Sequence, residues 1–120
     1  MKIVINKCYG GFGLSDEAFE WLIKNKKWKV TGYTKEGQYE NPNATIVKSK
    51  RDRFFGKYYL TDERKIRTHP DLIECIKVLG KKVNNQVSEL HIVEIPDGTE
   101  WVIEEYDGIE WIAEQHQIWD

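Results

Sequence analysis

Between Glu89 and Gln115 the chain reads ELHIVEI, PDG, TEWVIEEY, DG, IEWIAEQ, and this rhythm limits the fold more than any other feature. Runs rich in β-branched and aromatic residues, punctuated by Asp-Gly, are the pattern of strands joined by tight turns. The spacing predicts a hairpin from ELHIVEI through PDG into EWVIEEY, and a second across Asp107 and Gly108. Beyond that turn, Ile109, Trp111 and Ala113 alternate as a strand does, whereas Ile109, Ile112, Ala113 and His116 also fit one helical face. Periodicity does not arbitrate over residues 109–119; the Asp-Gly turn favours the strand.

Upstream, KIVIN alternates as a short strand, followed by the glycine-rich CYGGFG and then a helix start. Ser15 stands at the N-cap, with Asp16 and Glu17 in the first turn, where the helix dipole favours negative charge. Phe19, Leu22 and Ile23 supply the apolar stripe, and the helix runs out near KNKK. WKVTGY (28–33) reads as a second strand. Residues 34–66 are the least regular: KEGQYENPN is rich in turn formers, and ATIVKS and RFFGKYYL read as short strands of a peripheral excursion. A second helix opens at Pro70, with Thr68 and His69 as capping candidates and Leu72, Ile73, Ile76 and Leu79 on one face. Gly80 is placed to end it. The order β-α-β, irregular, α-β-β-β predicts a single α+β domain over 1–120, with a mainly antiparallel sheet and two helices.

Length and composition agree with one globular core: 120 residues, 40% hydrophobic and 12% aromatic, with five tryptophans and six tyrosines. No apolar run approaches the roughly 18 residues of a membrane span. MKIVINKCYGG is too short in its apolar part for a signal peptide, so the expected compartment is cytosolic. Cys8 and Cys75 read as reduced thiols. The net charge of −2 hides an asymmetry: all 18 Lys and Arg lie between Lys2 and Lys82, whereas ten carboxylates and no Lys or Arg follow from Glu89 onward. Such a split gives one face for a partner, or two faces that neutralise each other.

Four stretches could carry chemistry. CYGGFGL between a strand and a helix resembles an anion cradle, yet it lacks the Gly-Lys-Ser/Thr ending of a phosphate loop, and Asp16 and Glu17 would repel an anion there. The plainer reading is a tight positive-φ turn with Phe12 in the core. KSKRDRFFGKYYL (48–60) interleaves Lys48, Lys50, Arg51, Arg53 and Lys57 with Phe54, Phe55, Tyr58 and Tyr59, which suits a nucleotide or, equally, an amphipathic strand. The acidic balance argues against wholesale nucleic-acid binding. Arg67 beside a helix start suits a phosphate or a carboxylate, and the C-terminal acids offer it many partners. Glu104, Glu105, Asp107, Glu110, Glu114 and His116 form an acidic segment, but three scattered histidines do not make a zinc set. No catalytic residue, metal or cofactor is expected.

MKIVINKCYGGFGLS at one end and HIVEIPDGTEWVIEEYDGIEWIAEQHQIW at the other resemble a family of small proteins encoded by phages and prophages, and RTHPDLIECIKVLG resembles its middle block. The resemblance leaves residues 27–66 largely unmatched. It implies a phage accessory protein acting in the cytoplasm of an infected bacterium, with no assigned activity. Should these blocks meet in space, the candidate ligand-binding residues are Asn6, Gly10, Gly11, Arg67, Glu105, Tyr106 and His116, with Arg51, Arg53 and His69 from the basic segments. The leading expectation is a non-enzymatic binding protein for a nucleotide-derived small molecule, a sponge for a host immune signal. The alternative is an inhibitor of a host enzyme that presents its acidic C-terminal face as a nucleic-acid mimic. A homo-oligomer fits either.

Overall fold

The computed structural model describes residues 1–53 and 56–114, the side chains of residues 50–53 excepted. In chain order the elements are β1 (Lys2–Asn6), α1 (Asp16–Lys26), β2 (Val30–Thr31), β3 (Ile46–Arg53), β4 (Gly56–Leu60), the single turn α2 (Glu63–Ile66) and α3 (Pro70–Leu79). A 3₁₀ turn (Gly80–Val83), β5 (Leu90–Glu94), β6 (Trp101–Tyr106) and β7 (Ile109–Glu114) complete the described chain. The fold is α+β, and its strands are mostly antiparallel.

Both long helices start and stop where local chemistry requires. The Ser15 hydroxyl accepts from the Ala18 N–H at 3.1 Å, and the Lys27 N–H closes the other end of α1 on the Leu22 carbonyl. His69, not Thr68, caps α3: its Nδ1 accepts from the Asp71 N–H at 3.0 Å, and Gly80 (φ +59°) returns its N–H to the Ile76 carbonyl. Phe19 and Leu22 of α1 meet Leu72 and Cys75 of α3, with Val4, Leu14, Ile46 and Ile66 closing one core. Each such side chain, fully buried, contributes about 1.5–3 kcal/mol relative to exposure.

The sheet is divided where a single one was expected. β1 pairs antiparallel with β5, β2 runs parallel to β3 and β3 antiparallel to β4, and among the described residues β6 pairs only with β7. The expected hairpin between ELHIVEI and EWVIEEY therefore does not form. Ile3, Val4, Ile5 and Asn6 are all buried, and β5 is the strand that satisfies one of their edges. The PDG turn serves the chain start instead: the Met1 ammonium donates to the Ile95 carbonyl at 2.8 Å and to Asp97 Oδ1 at 2.6 Å. The second expected hairpin does form. Asp107 (φ +49°) and Gly108 (φ +89°) make a two-residue turn, and residues 109–114 are strand. Residues 115–119 of the strand-or-helix question lie outside the described residues. WKVTGY shrinks to the pair Val30–Thr31.

Candidate functional site

The terminal motifs meet. Asn6 at the end of β1 is fully buried, and its amide fills its hydrogen-bonding capacity. Nδ2 donates to the Cys8 carbonyl (2.6 Å) and to the Gly108 carbonyl (2.7 Å), while Oδ1 accepts from the N–H of Glu89 (2.8 Å) and of Cys8 (3.3 Å). The β6–β7 turn is thus bonded to the N-terminal glycine turn through one side chain. Contact is close enough to require glycine: a Cβ on Gly108 would lie 2.4 Å from the Tyr9 carbonyl oxygen and 2.5 Å from the Gly11 nitrogen. Gly10 abuts Val87 in the same way, and Gly11 needs its positive φ of 103°. These glycines close a junction between the terminal motifs. Gly11 has the positive φ and Phe12 the packing against the core that the plainer reading of CYGGFGL expected, and Gly10 and Gly11 also line a small cleft with Tyr58.

Arg67 lies behind this junction, 5% exposed, against Glu110 at 6%. Its Nη1 and Nη2 donate to the two Glu110 carboxylate oxygens at 2.6 and 2.9 Å, a two-pronged pair of the strongest geometry. Nη1 also donates to the Val4 carbonyl at 3.1 Å, the Arg67 carbonyl accepts from the Val4 N–H at 2.8 Å, and the guanidinium carbon sits 3.6 Å from the Phe12 ring centroid. The Asn6 N–H donates to Glu110 Oε1 at 2.8 Å. A single polar centre therefore joins β1, the glycine turn, α2 and β7. The Arg67 charge is consumed there, and only Nε has no hydrogen-bond acceptor among the described residues.

The other candidates fall elsewhere. His69 caps α3 and stands edge-on to Trp28. Because Nδ1 accepts the Asp71 N–H, it has no proton to give the Asp71 carboxylate 3.8 Å away when the ring is neutral. Arg51 and Arg53 lie on β3. Tyr58 tilts against Phe19 and packs on the core, as in an amphipathic strand. His116 lies outside the described residues. Glu105 and Tyr106 belong to β6 and are exposed.

Register divides the hairpin into two faces. A two-residue turn makes Tyr106 and Ile109 a hydrogen-bonded pair, so Glu104–Trp111 and Val102–Ala113 are hydrogen-bonded too. Their side chains share the outer face, where Tyr106 is 71%, Trp111 42% and Val102 36% exposed. Trp111 Nε1 donates to Glu104 Oε2 at 3.1 Å across this face. The inner face carries Glu110, Ile103, Ile112 and Trp101. Between it and α2 runs a cleft of 590 Å³, with Glu63, Arg64 and Arg67 on one side and Trp101, Ile103 and Glu105 on the other. Burial raises the Glu63 pKa, opposed by the nearby Arg67 charge.

Glu110, Phe12, Gly108 and the outer-face Trp111 are not among the expected ligand-binding residues, although the sequence places Glu110 in an acidic segment, Phe12 in the core, Gly108 in the turn and Trp111 on a strand. The signal for Glu110, Gly108 and Trp111 was the Asp-Gly turn, because a two-residue loop fixes which residues share a face. A second cleft, of 620 Å³, lies beside α3 and receives Lys27, Lys29, Lys65 and His69. Among the described residues, no His, Cys, Asp and Glu are grouped to hold a metal ion, and no helix is long and apolar enough to cross a membrane. No family model, curated protein or solved structure matches the chain.

Proposed function

We propose that this is a non-enzymatic binding protein whose β6–β7 hairpin docks on a basic surface of a partner protein. One observation carries the reading: Tyr106, Trp111 and Val102 are exposed side by side on the outer face, beside Glu104 and Asp107, in the segment without a basic residue. Large aromatics left in water on a firmly anchored hairpin are what an interface core needs, and the carboxylates supply charge for a cationic partner. The buried pairing of Arg67 and the packed glycine turn weigh against an anion held at this junction. With the phage-protein resemblance of the terminal motifs, the partner is a host enzyme that handles nucleic acid, and the hairpin competes for its basic surface.

The test is retention of host proteins on the immobilised chain, followed by competition. Duplex DNA should displace a specifically retained protein, and Trp111→Ala with Tyr106→Ala should abolish retention while leaving the unfolding midpoint in place. Retention indifferent to both would overturn the reading.

A second reading, the sequestering of a nucleotide-derived signal, is favoured by the cleft that gathers Lys27, Lys29, Lys65 and His69 against the two carboxylates of Asp62 and Asp71. Cyclic and ADP-ribose-type nucleotides at a hundredfold excess over Kd should stabilise the fold by about 2.7 kcal/mol. No thermal shift with any of them removes it.

A further inference from the structure

The inner face and free edge of β6 offer a surface distinct from the aromatic outer face. In the alternation set by the turn, Trp101, Ile103 and Glu105 are the residues of β6 that do not bond β7. Their N–H and C=O groups point away from the hairpin, and β6 has no strand on that side among the described residues. The 590 Å³ cleft lies on this side. Four β6 residues line it but only Glu110 of β7, and Val102 is among the four although its side chain belongs to the outer face. The cleft therefore lies over the β6 side of the inner face, next to that free edge.

Charge selects what can enter. Glu105 stands on the β6 wall and Glu63 on the opposite wall, 4.0 Å from Arg67 Nη2. Nη1 and Nη2 of Arg67 already donate to Glu110, so Glu63, 4.0 Å from Nη2, is left with a weak share of that cation. Arg64 of α2 also lines the cleft but is exposed, so its charge is screened by solvent more than a buried one would be. Trp101 and Ile103, half-buried between the carboxylates, give an apolar floor. A lysine or arginine stem on that floor would reach two carboxylates with its head group.

We infer that β6 accepts an extended, basic segment of a partner protein as an added strand, with its cationic side chains directed between Glu63 and Glu105. Strand addition draws affinity from main-chain hydrogen bonds and specificity from alternate side chains, and here both halves are present on one edge. The inference rests on the reading of the hairpin as a partner-binding element, but it places the contact on the opposite face and edge.

The probe is a short capped peptide of alternating lysine and valine, titrated into the isotope-labelled chain. Amide shifts should centre on Trp101, Ile103 and Glu105, whose hydrogen exchange should slow on binding. Ile103→Pro removes an outward N–H without touching the β7 ladder and should weaken binding by about tenfold beyond Ile103→Thr, which alters the same floor but keeps that N–H. On the unaltered protein, N-methylation of alternate peptide residues should weaken binding by a similar factor for one parity only. Glu63→Gln with Glu105→Gln should weaken it, and a glutamate–valine peptide should not bind. Trp111→Ala, which disables the outer face, should leave the peptide affinity unchanged, so failure of either surface is seen separately. Absence of binding, shifts confined to Tyr106 and Trp111, indifference to N-methyl parity, or protection of the same amides by self-association alone would overturn the inference.

Discussion

Breaking the Arg67–Glu110 pair from one side should strongly destabilise the protein, and removing both partners should undo part of the damage. Arg67→Met leaves the Glu110 carboxylate at 6% exposure with only the Asn6 N–H. Glu110→Leu leaves a guanidinium at 5% exposure with the Val4 carbonyl, the Phe12 ring and, 4.0 Å from Nη2, the half-exposed Glu63 carboxylate. Stranding one charge of a buried pair costs about 3–5 kcal/mol. At about 0.05–0.15 kcal/mol per residue, a chain of this length has roughly 6–18 kcal/mol in total. Taking about 4 °C of Tm per kcal/mol, either single variant should melt about 12–20 °C lower. The double variant Arg67→Met/Glu110→Leu buries no charge, but it orphans the Asn6 N–H at about 1–3 kcal/mol. Its loss should therefore fall below that of either single, with a coupling of at least about 2 kcal/mol. Urea unfolding followed by tryptophan emission measures all four corners, and high salt should alter the coupling little because the pair is shielded from ions. Additive losses, or a single variant within about 0.5 kcal/mol of the parent, would refute the claim that this pair joins the terminal motifs.

Three further outcomes follow from single positions. Gly108→Ala should cost more than Gly11→Ala, since both need positive φ but only the Gly108 Cβ would strike backbone, 2.4 Å from the Tyr9 oxygen; chemical denaturation ranks them. Burial pushes the Cys75 thiol up to about 12, so a thiol reagent at neutral pH should label Cys8 and reach Cys75 only on unfolding, as read by mass spectrometry. Glu63 has its pKa raised by burial, so its folded form favours the proton: the stability it contributes is full below the usual 4.5 and is lost as pH rises through the folded value. Glu63→Gln should accordingly match the parent in acid and exceed it at pH 7 in melting scans.

What was legible in the sequence was local. Ser15, Gly80 and the Asp107–Gly108 turn each act on residues within a few positions, so α1, the end of α3 and β7 could be placed from the chain alone. Pro70 drew α3 correctly but left Thr68 and His69 equivalent, and only geometry put the ring nitrogen on the Asp71 N–H. The partner of β1 was not legible: Ile3 meets Val93, and the short PDG turn next to β5 suggested a nearer strand. Arg67 shows the same limit from the side of the site. An arginine beside a helix start reads alike for a ligand phosphate or a distant carboxylate, and 43 residues separate it from Glu110. Parity along the hairpin would have put Glu110 on the inner face with Ile112, but not opposite Arg67.

The way β1 is held has a consequence for the chain as it is made. Ile3, Ile5 and Asn6 are translated some ninety residues before Val93, His91 and Leu90, which stand opposite them. At about 5–20 residues per second, KIVIN waits roughly 5–18 s for its strand partner, and the Asn6 amide waits longer still for Gly108. During that interval α1 and α3 can pack, but the apolar first strand is a bare edge. Lys2 and Lys7, which bracket it, are the charges that keep that edge in solution until the last hairpin arrives.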